Sequence, residues 1–106
     1  MSAARAFEAA LSGARFAQAC ALLAPETRQE VMGNAADCGH ALAQEQLPVA
    51  GRSGTDAAVQ VYGRQAMVRL TGDTLFLSQF DAGWKVVAAG CTPRPDQPYD
   101  CQVKGG

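Results

Sequence analysis

The second half of the chain alternates apolar and polar residues with the two-residue period of β-strands. The predicted strands span residues 57–62, 65–71, 74–80 and 84–90, and residues 100–104 can add a short fifth strand. Short turns that contain Gly or Asp separate consecutive runs, which is typical of an antiparallel meander. Both faces of the run at residues 84–90 are fairly apolar, so we expect this strand to lie in the centre of the sheet.

The first half of the chain follows the helical period instead. An alanine-rich stretch over residues 3–23 predicts a helix that breaks at Gly13, because the apolar stripe before this glycine does not continue in line after it. Pro25 suits the first turn of a further helix, which ends before residue 48. Glycines at both ends of residues 33–39 predict a kink inside this second helical stretch.

Helices followed by a meander predict an α+β fold, with the helices packed on one face of a curved antiparallel sheet of four or five strands. The length of 106 residues favours one domain over residues 1–106, with residues 48–56 connecting its two halves. The side chains that we expect to be largely buried are Phe7, Leu11, Phe16, Leu23, Val31, Leu42, Val59, Val61, Val68, Leu70, Phe76, Phe80, Trp84 and Val86.

Four cysteines, an even number in so small a chain, predict two disulfides. Cys20 and Cys38 both lie on apolar stripes of predicted helices, so that two packed helices would bring them together. Cys91 and Cys101 flank a proline-rich segment that a bridge would close. Because disulfides persist in oxidising compartments, we expect a secreted or envelope-anchored protein whose native signal or anchor is absent from this chain.

Several function classes are disfavoured by composition. A net charge of −1 argues against non-specific nucleic-acid binding, and no apolar run is long enough to span a bilayer. Neither a phosphate-cradling glycine loop nor a complete metal-ligand set is present, so we expect no cofactor and no metal. Cys38 and His40 provide two potential ligands where zinc needs three or four, and a Cys–His dyad would be lost if Cys38 is bridged.

The proline-rich segment from Thr92 to Asp100 is the most distinctive predicted surface feature. Its three prolines stiffen it, which lowers the entropy cost of binding a partner. Arg94, Asp96 and Tyr99 are the candidate contact residues, and Arg and Tyr are enriched at interface hot spots. The alternative is that the segment is only a rigid connection to the last strand.

Two stretches of the chain resemble the NTF2-like superfamily of cone-shaped α+β proteins. The run FEAALSGARFAQACALLAPETRQEV at residues 7–31 resembles their opening, in which a small-residue break separates two helices. The run FLSQFDAGWKVVAAG at residues 76–90 resembles their final hairpin, where a Gly-Trp pair enters the last long strand. This resemblance implies an NTF2-like or cystatin-like fold. The cysteine pattern resembles small secreted proteins and lipoproteins of high-GC Gram-positive bacteria.

The resemblance also allows a small-molecule enzyme of the isomerase or dehydratase type, with a base inside the cone. Tyr62 and Arg69 could line such a cavity, although residues of this kind are more often cross-strand partners on a solvated face. Asp56, Asp73 and Asp81 lie at strand ends or turns, where Asp is expected for turn reasons alone. No catalytic residue is therefore assigned.

We expect a non-catalytic binding domain, and the alternatives are the small-molecule enzyme and an inhibitor or immunity-type protein. The partner is left open between a protein and a small-molecule ligand. The oligomeric state is also left open, with a dimer as one option.

Overall fold

Four short helices precede five strands in the computed structural model, which describes residues 2–47, 56–70 and 73–105. The elements are α1 (Ser2–Ser12), α2 (Phe16–Ala21), α3 (Pro25–Met32), α4 (Cys38–Gln44), β1 (Asp56–Tyr62), β2 (Gln65–Leu70), β3 (Asp73–Phe80), β4 (Gly83–Arg94) and β5 (Gln97–Lys104). The strands form one antiparallel sheet in the order β1-β2-β3-β4-β5. The α+β class and the meander are confirmed, whereas the connector predicted at residues 48–56 falls almost entirely outside the described residues.

Helix α1 ends in a hydrogen-bonded cap. Ala14 adopts a φ of 56°, and its N–H donates to the Leu11 carbonyl at 3.1 Å. The N–H of Arg15 donates to the Ala10 carbonyl at 2.7 Å. These two bonds form a Schellman motif, which closes a helix around one left-handed residue. The break predicted at Gly13 is confirmed, but the left-handed position belongs to Ala14.

The second helical stretch is interrupted more strongly than predicted. Helix α3 ends at Met32, its C-cap Gly33 has a φ of 52°, and α4 begins at Cys38. The side chain of Asp37 accepts a hydrogen bond from the Gly39 N–H at 3.0 Å and so caps α4. The kink expected at residues 33–39 is therefore a complete break between two helices.

Strand β4 lies in the interior of the sheet, as its apolar faces predict. Its first part, from Gly83 to Ala88, pairs with β3, and its second part, from Ala88 to Arg94, pairs with β5. Beyond the end of β5, the segment between α2 and α3 pairs with β4 instead of β5. Val86 donates to the Leu22 carbonyl at 2.8 Å and accepts from the Ala24 N–H at 2.8 Å, which forms a parallel bridge centred on Leu23. Both sides of β4 are thereby paired at this point.

A bulge in β4 ties the sheet to α3. The register between β3 and β4 shifts between Phe76 and Leu77, which leaves Val87 as an extra residue. The Val87 carbonyl accepts from the hydroxyl of buried Thr27 at 2.9 Å and from the Gly105 N–H at 3.0 Å. The carbonyl of this bulge residue thus connects the sheet both to α3 and to Gly105, which follows β5.

The core lies between the helices and one face of the sheet, and half of the predicted core residues belong to it. Those that are buried are Phe7, Leu11, Leu23, Leu42, Val68, Leu70 and Val86. Those that are only half-buried are Phe16, Val31, Phe76 and Trp84. The half-buried Trp84 packs against the edge of the core and is not enclosed by it.

Three predicted core residues are exposed. Val59 and Val61 are 40% and 53% exposed, because the described helices make their main sheet contacts with β4 and β5, away from the edge formed by β1. Phe80 is 38% exposed, since the buried face of β3 carries Leu75 and Leu77. The prediction that these three side chains are buried was wrong.

Candidate functional site

The proline-rich segment, predicted to be a long loop, is the end of a β-hairpin. Strand β4 continues to Arg94 and β5 begins at Gln97, so that Pro95 and Asp96 alone form the turn. A proline followed by a residue with a φ of 55° is typical of a type II turn, which requires a positive φ at its third residue. A register shift around Pro93, which has no N–H to donate, lies just before the turn.

A disulfide closes the base of this hairpin. Cys91 and Cys101 lie directly opposite each other in β4 and β5, with their Cα atoms 4.0 Å apart. Residues 92–98 beyond the disulfide are all exposed. Across the tip, the Arg94 Nε–H donates to the Pro98 carbonyl at 3.1 Å. We call residues 92–98 the hairpin tip; it is both exposed and held by covalent and polar contacts.

Tyr99 differs from the other candidates of this segment. Its ring meets the ring of Phe76 edge to face, with the centroids 5.3 Å apart and an interplanar angle of 73°. The side chain is half-buried, so that it anchors the hairpin to β3. Arg94 and Asp96 remain as the exposed charged residues of the tip.

The second disulfide joins Cys20 of α2 to Cys38 of α4, with 6.2 Å between the Cα atoms. All four cysteines are bridged in the predicted pairing. Cys38 is therefore not a thiol, and His40 points to Gln44 on the exposed side of α4, with 3.2 Å between the two Nε2 atoms. Within the described ranges, no group of three metal-ligating side chains occurs.

The structure places Tyr62 and Arg69 on one face of the sheet but apart from each other. Tyr62 is 69% exposed and pairs with Gln65. Arg69 lies four residues beyond Gln65 along β2. At the strand rise of ~3.3 Å per residue, it is therefore about 13 Å along the sheet from the Tyr62–Gln65 pair. Tyr62 borders an open groove of about 330 Å³. The groove is lined by Gln60, Tyr62, Gln65, Ala66, Met67, Phe76, Leu77 and Val87, and this described lining includes no carboxylate.

A pair of buried carboxyl groups is the feature that the sequence prediction missed. Glu8 of α1 and Asp73 of β3 are only 4% and 7% exposed. The Thr74 N–H donates to Asp73 Oδ1 at 2.8 Å, and the Glu8 side chain is close enough to Asp73 to affect the pKa of its carboxyl group. Two neighbouring carboxyl groups that are both buried repel each other when both are ionised, so this arrangement favours a proton on one of them.

Burial raises the pKa of the Asp73 carboxyl above its ordinary value of 3.8, although the polar environment supplied by Glu8 and by the neighbouring backbone N–H groups acts in the opposite direction. The pair is closed to solvent and therefore to substrate. We interpret it as a proton-sharing contact between α1 and the sheet and assign it no catalytic role.

This pair predicts a specific pH dependence of stability. A raised pKa means that the folded chain holds the proton of Asp73 more tightly than the unfolded chain does. The contribution of this group is complete below the unfolded value of about 3.8 and is lost as the pH rises through the folded pKa. In thermal melts, wild type should therefore lose stability relative to the double variant Glu8→Gln/Asp73→Asn as the pH rises. The exposed Asp96→Asn variant should melt in parallel with wild type, and parallel curves for the double variant would contradict the interpretation.

Comparison with known proteins identifies no relative: the chain matches no family model, no curated protein and no solved structure. No helix among the described residues is long and apolar enough to cross a membrane. The assignment of the candidate site therefore rests on the geometry of the hairpin tip alone.

Proposed function

We propose that this protein is an extracytoplasmic, non-catalytic binding domain that recognises a partner protein through the hairpin tip. The observation that carries the proposal is the combination of full exposure and restraint at residues 92–98. The disulfide at the base, the Arg94–Pro98 hydrogen bond and the anchoring Tyr99 ring all reduce the freedom of the tip. A surface that is ordered before binding loses less entropy when the partner arrives.

The shape and charge of the tip favour a protein over a small molecule. A two-residue turn at the end of two paired strands is convex, whereas sites for small molecules are concave. Arg94 and Asp96 present opposite charges next to each other on this convex end. Such a tip fits a cleft or a concave face of another protein. An inhibitor or immunity-type role is the second candidate, because a projecting hairpin can enter an enzyme cleft in the same way.

The compartment is part of the same proposal. Both disulfides require an oxidising environment to persist, which supports a secreted or envelope-anchored protein. The arrangement of helices on one face of an antiparallel sheet also supports membership of the NTF2-like or cystatin-like group. Helices α1 and α2 flank the predicted break, and Gly83-Trp84 enters β4, although β5 follows that strand here.

The binding role is tested by photo-crosslinking in native cells. A photoreactive residue at Gln97, beside the turn, should give one discrete crosslinked band. The same residue at the exposed position Asn34, between α3 and α4, is the matched control and should not give this band. Arg94→Ala in the Gln97 background should weaken the band about tenfold, as truncation of a hot-spot residue does. A band that is absent at Gln97, or unchanged by Arg94→Ala, would contradict the proposed site.

The compartment is tested separately by labelling native cells with a thiol-reactive polymer without prior reduction. The extracytoplasmic proposal requires that none of the four cysteines reacts in the folded protein. Modification of four thiols at native expression levels would place the chain in a reducing compartment and would overturn this part of the proposal. The crosslinking result does not depend on it.

A further inference from the structure

Strand β1 is an open edge that carries apolar side chains. It pairs only with β2 in the described sheet. Val59 and Val61 are 40% and 53% exposed, and yet they lie opposite Val68 and Ala66, which are 0% and 4% exposed. The buried face of the sheet thus continues onto β1, where the described helices leave these two side chains exposed.

The edge also lacks the residues that usually prevent strands from pairing. Natural sheets protect their edges with Lys, Pro, inward-pointing charges or bulges. The sequence of residues 57–62 is AAVQVY, which contains no charge and no proline. A register shift lies at the beginning of β1, between positions 56 and 58, and the strand is regular from Ala58 to Tyr62. The regular part is therefore able to accept another strand.

The backbone of this edge has a defined direction. The Gln79 N–H donates to the Arg64 carbonyl at 2.8 Å, so the even-numbered positions of β2 face β3 and the odd-numbered ones face β1. The β1 residues opposite the odd-numbered positions are Gln60 and Tyr62, whose N–H and C=O groups bond within the sheet. Val59 and Val61 alternate with them, so their N–H and C=O groups point to the open edge.

This edge is complementary to itself. We consider a second copy whose β1 runs antiparallel to this one, with a two-fold axis at Gln60. In this register Val59 of each chain lies opposite Val61 of the other chain. Both of these residues direct their backbone groups outward, so each pair can exchange two hydrogen bonds. The valine side chains then meet across the strands on one face, which is a favourable cross-strand pair.

We propose that β1 pairs with β1 of a second copy of this chain in an antiparallel, two-fold symmetric dimer with a continuous sheet. A strand from an unrelated protein could use the same backbone groups, but the symmetric register, which sets exposed Val59 of each chain opposite exposed Val61 of the other, specifically matches a second copy. The hairpin tip belongs to the opposite edge of the sheet, so the dimer would present two tips at its far ends. The inference does not depend on what these tips bind.

Sedimentation velocity over a range of concentrations tests the dimer. We expect wild type to change from one to two chains per particle as the concentration rises. Val61→Lys, at an exposed position where a lysine is typical of protected edges, should raise the dimer dissociation constant about tenfold or more. Gln29→Lys, on the exposed side of α3, adds the same charge and should leave the constant unchanged. A single-chain mass at all concentrations would overturn the proposal.

Cysteine crosslinking tests the register. At the two-fold axis, Gln60 lies opposite its own copy in a non-hydrogen-bonded pair, where Cα atoms are about 4.5 Å apart. Gln60→Cys should therefore form an intermolecular disulfide under mild oxidation, whereas Tyr62→Cys, which lies opposite residue 58 of the copy, should not. Equal crosslinking of both variants, or none with Gln60→Cys, would contradict the pairing even if a dimer is observed.

Discussion

Replacing Cys20 and Cys38 together by Ala is expected to lower the free energy of unfolding by about 3 kcal/mol. The bridge closes a loop of 18 residues, and the chain-entropy model gives about this value for such a loop. At roughly 4–8 °C for each kcal/mol in a domain of this size, the melting temperature should fall by about 12–24 °C. A small domain has only about 5–15 kcal/mol of stability, so this one bridge decides whether the chain is folded at elevated temperature.

The loss should be large because the bridged elements are weak by themselves. Helix α2 has 6 residues and α4 has 7, and isolated helices of this length are not stable in water. The matched control is Cys91→Ala/Cys101→Ala, which opens a loop of 10 residues. Those cysteines lie in strands that are also held by backbone pairing, so we expect a smaller fall in melting temperature. Equal losses for the two variants would contradict this account.

The sequence predicts most of the fold because strong local signals agree with one another. The break after α1, the start of α3 at Pro25 and the bounds of β1, β2 and β3 follow from short-range rules on small residues, proline and alternation. The disulfide pairing followed from the positions of the cysteines on apolar stripes and around the proline-rich segment. These features depend on neighbouring residues and need no knowledge of tertiary packing.

The errors concern the faces and the cover of the sheet, which local rules do not determine. In β3 both faces are apolar, so the choice of Phe80 over Leu77 for the core could not be made from alternation. The bulge at Val87 reverses the alternation partway along β4 and gives no signal in composition. Where the described helices sit on the sheet depends on tertiary packing and not on local sequence, and for this reason Val59 and Val61 were wrongly expected in the core.

The candidate site was predicted in position but not in form. The exposure of Arg94 and Asp96 agrees with the prediction of a surface feature, but the strands extend much further into the segment than its three prolines suggested. Turn positions and the edge strand tolerate proline, so strand pairing persists. Glu8 could have been noticed, because positions 4, 7, 8 and 11 form one helical face and three of them are apolar. Its partner Asp73 resembled an ordinary turn residue.

Phe7→Ala is expected to cost about 3–5 kcal/mol, the usual range for deleting a buried aromatic ring. Phe7 is fully buried at the centre of the core, on the face of α1 that packs against the sheet. Most of the stability of a domain of this size would be lost. The variant should unfold at a much lower denaturant concentration than wild type.

Trp84→Ala is the comparison that makes this result informative. Tryptophan is larger than phenylalanine, so side-chain size alone predicts the greater loss at position 84. However, Trp84 is half-buried and packs only at the edge of the core. Its removal exposes less apolar surface and leaves a site that water can fill, so we expect a cost of about 2 kcal/mol. Denaturant unfolding of both variants should therefore rank Phe7→Ala as clearly the less stable. The reverse order would contradict this account. It would show that the large Trp84 ring contributes more to stability than the smaller but fully buried Phe7 ring.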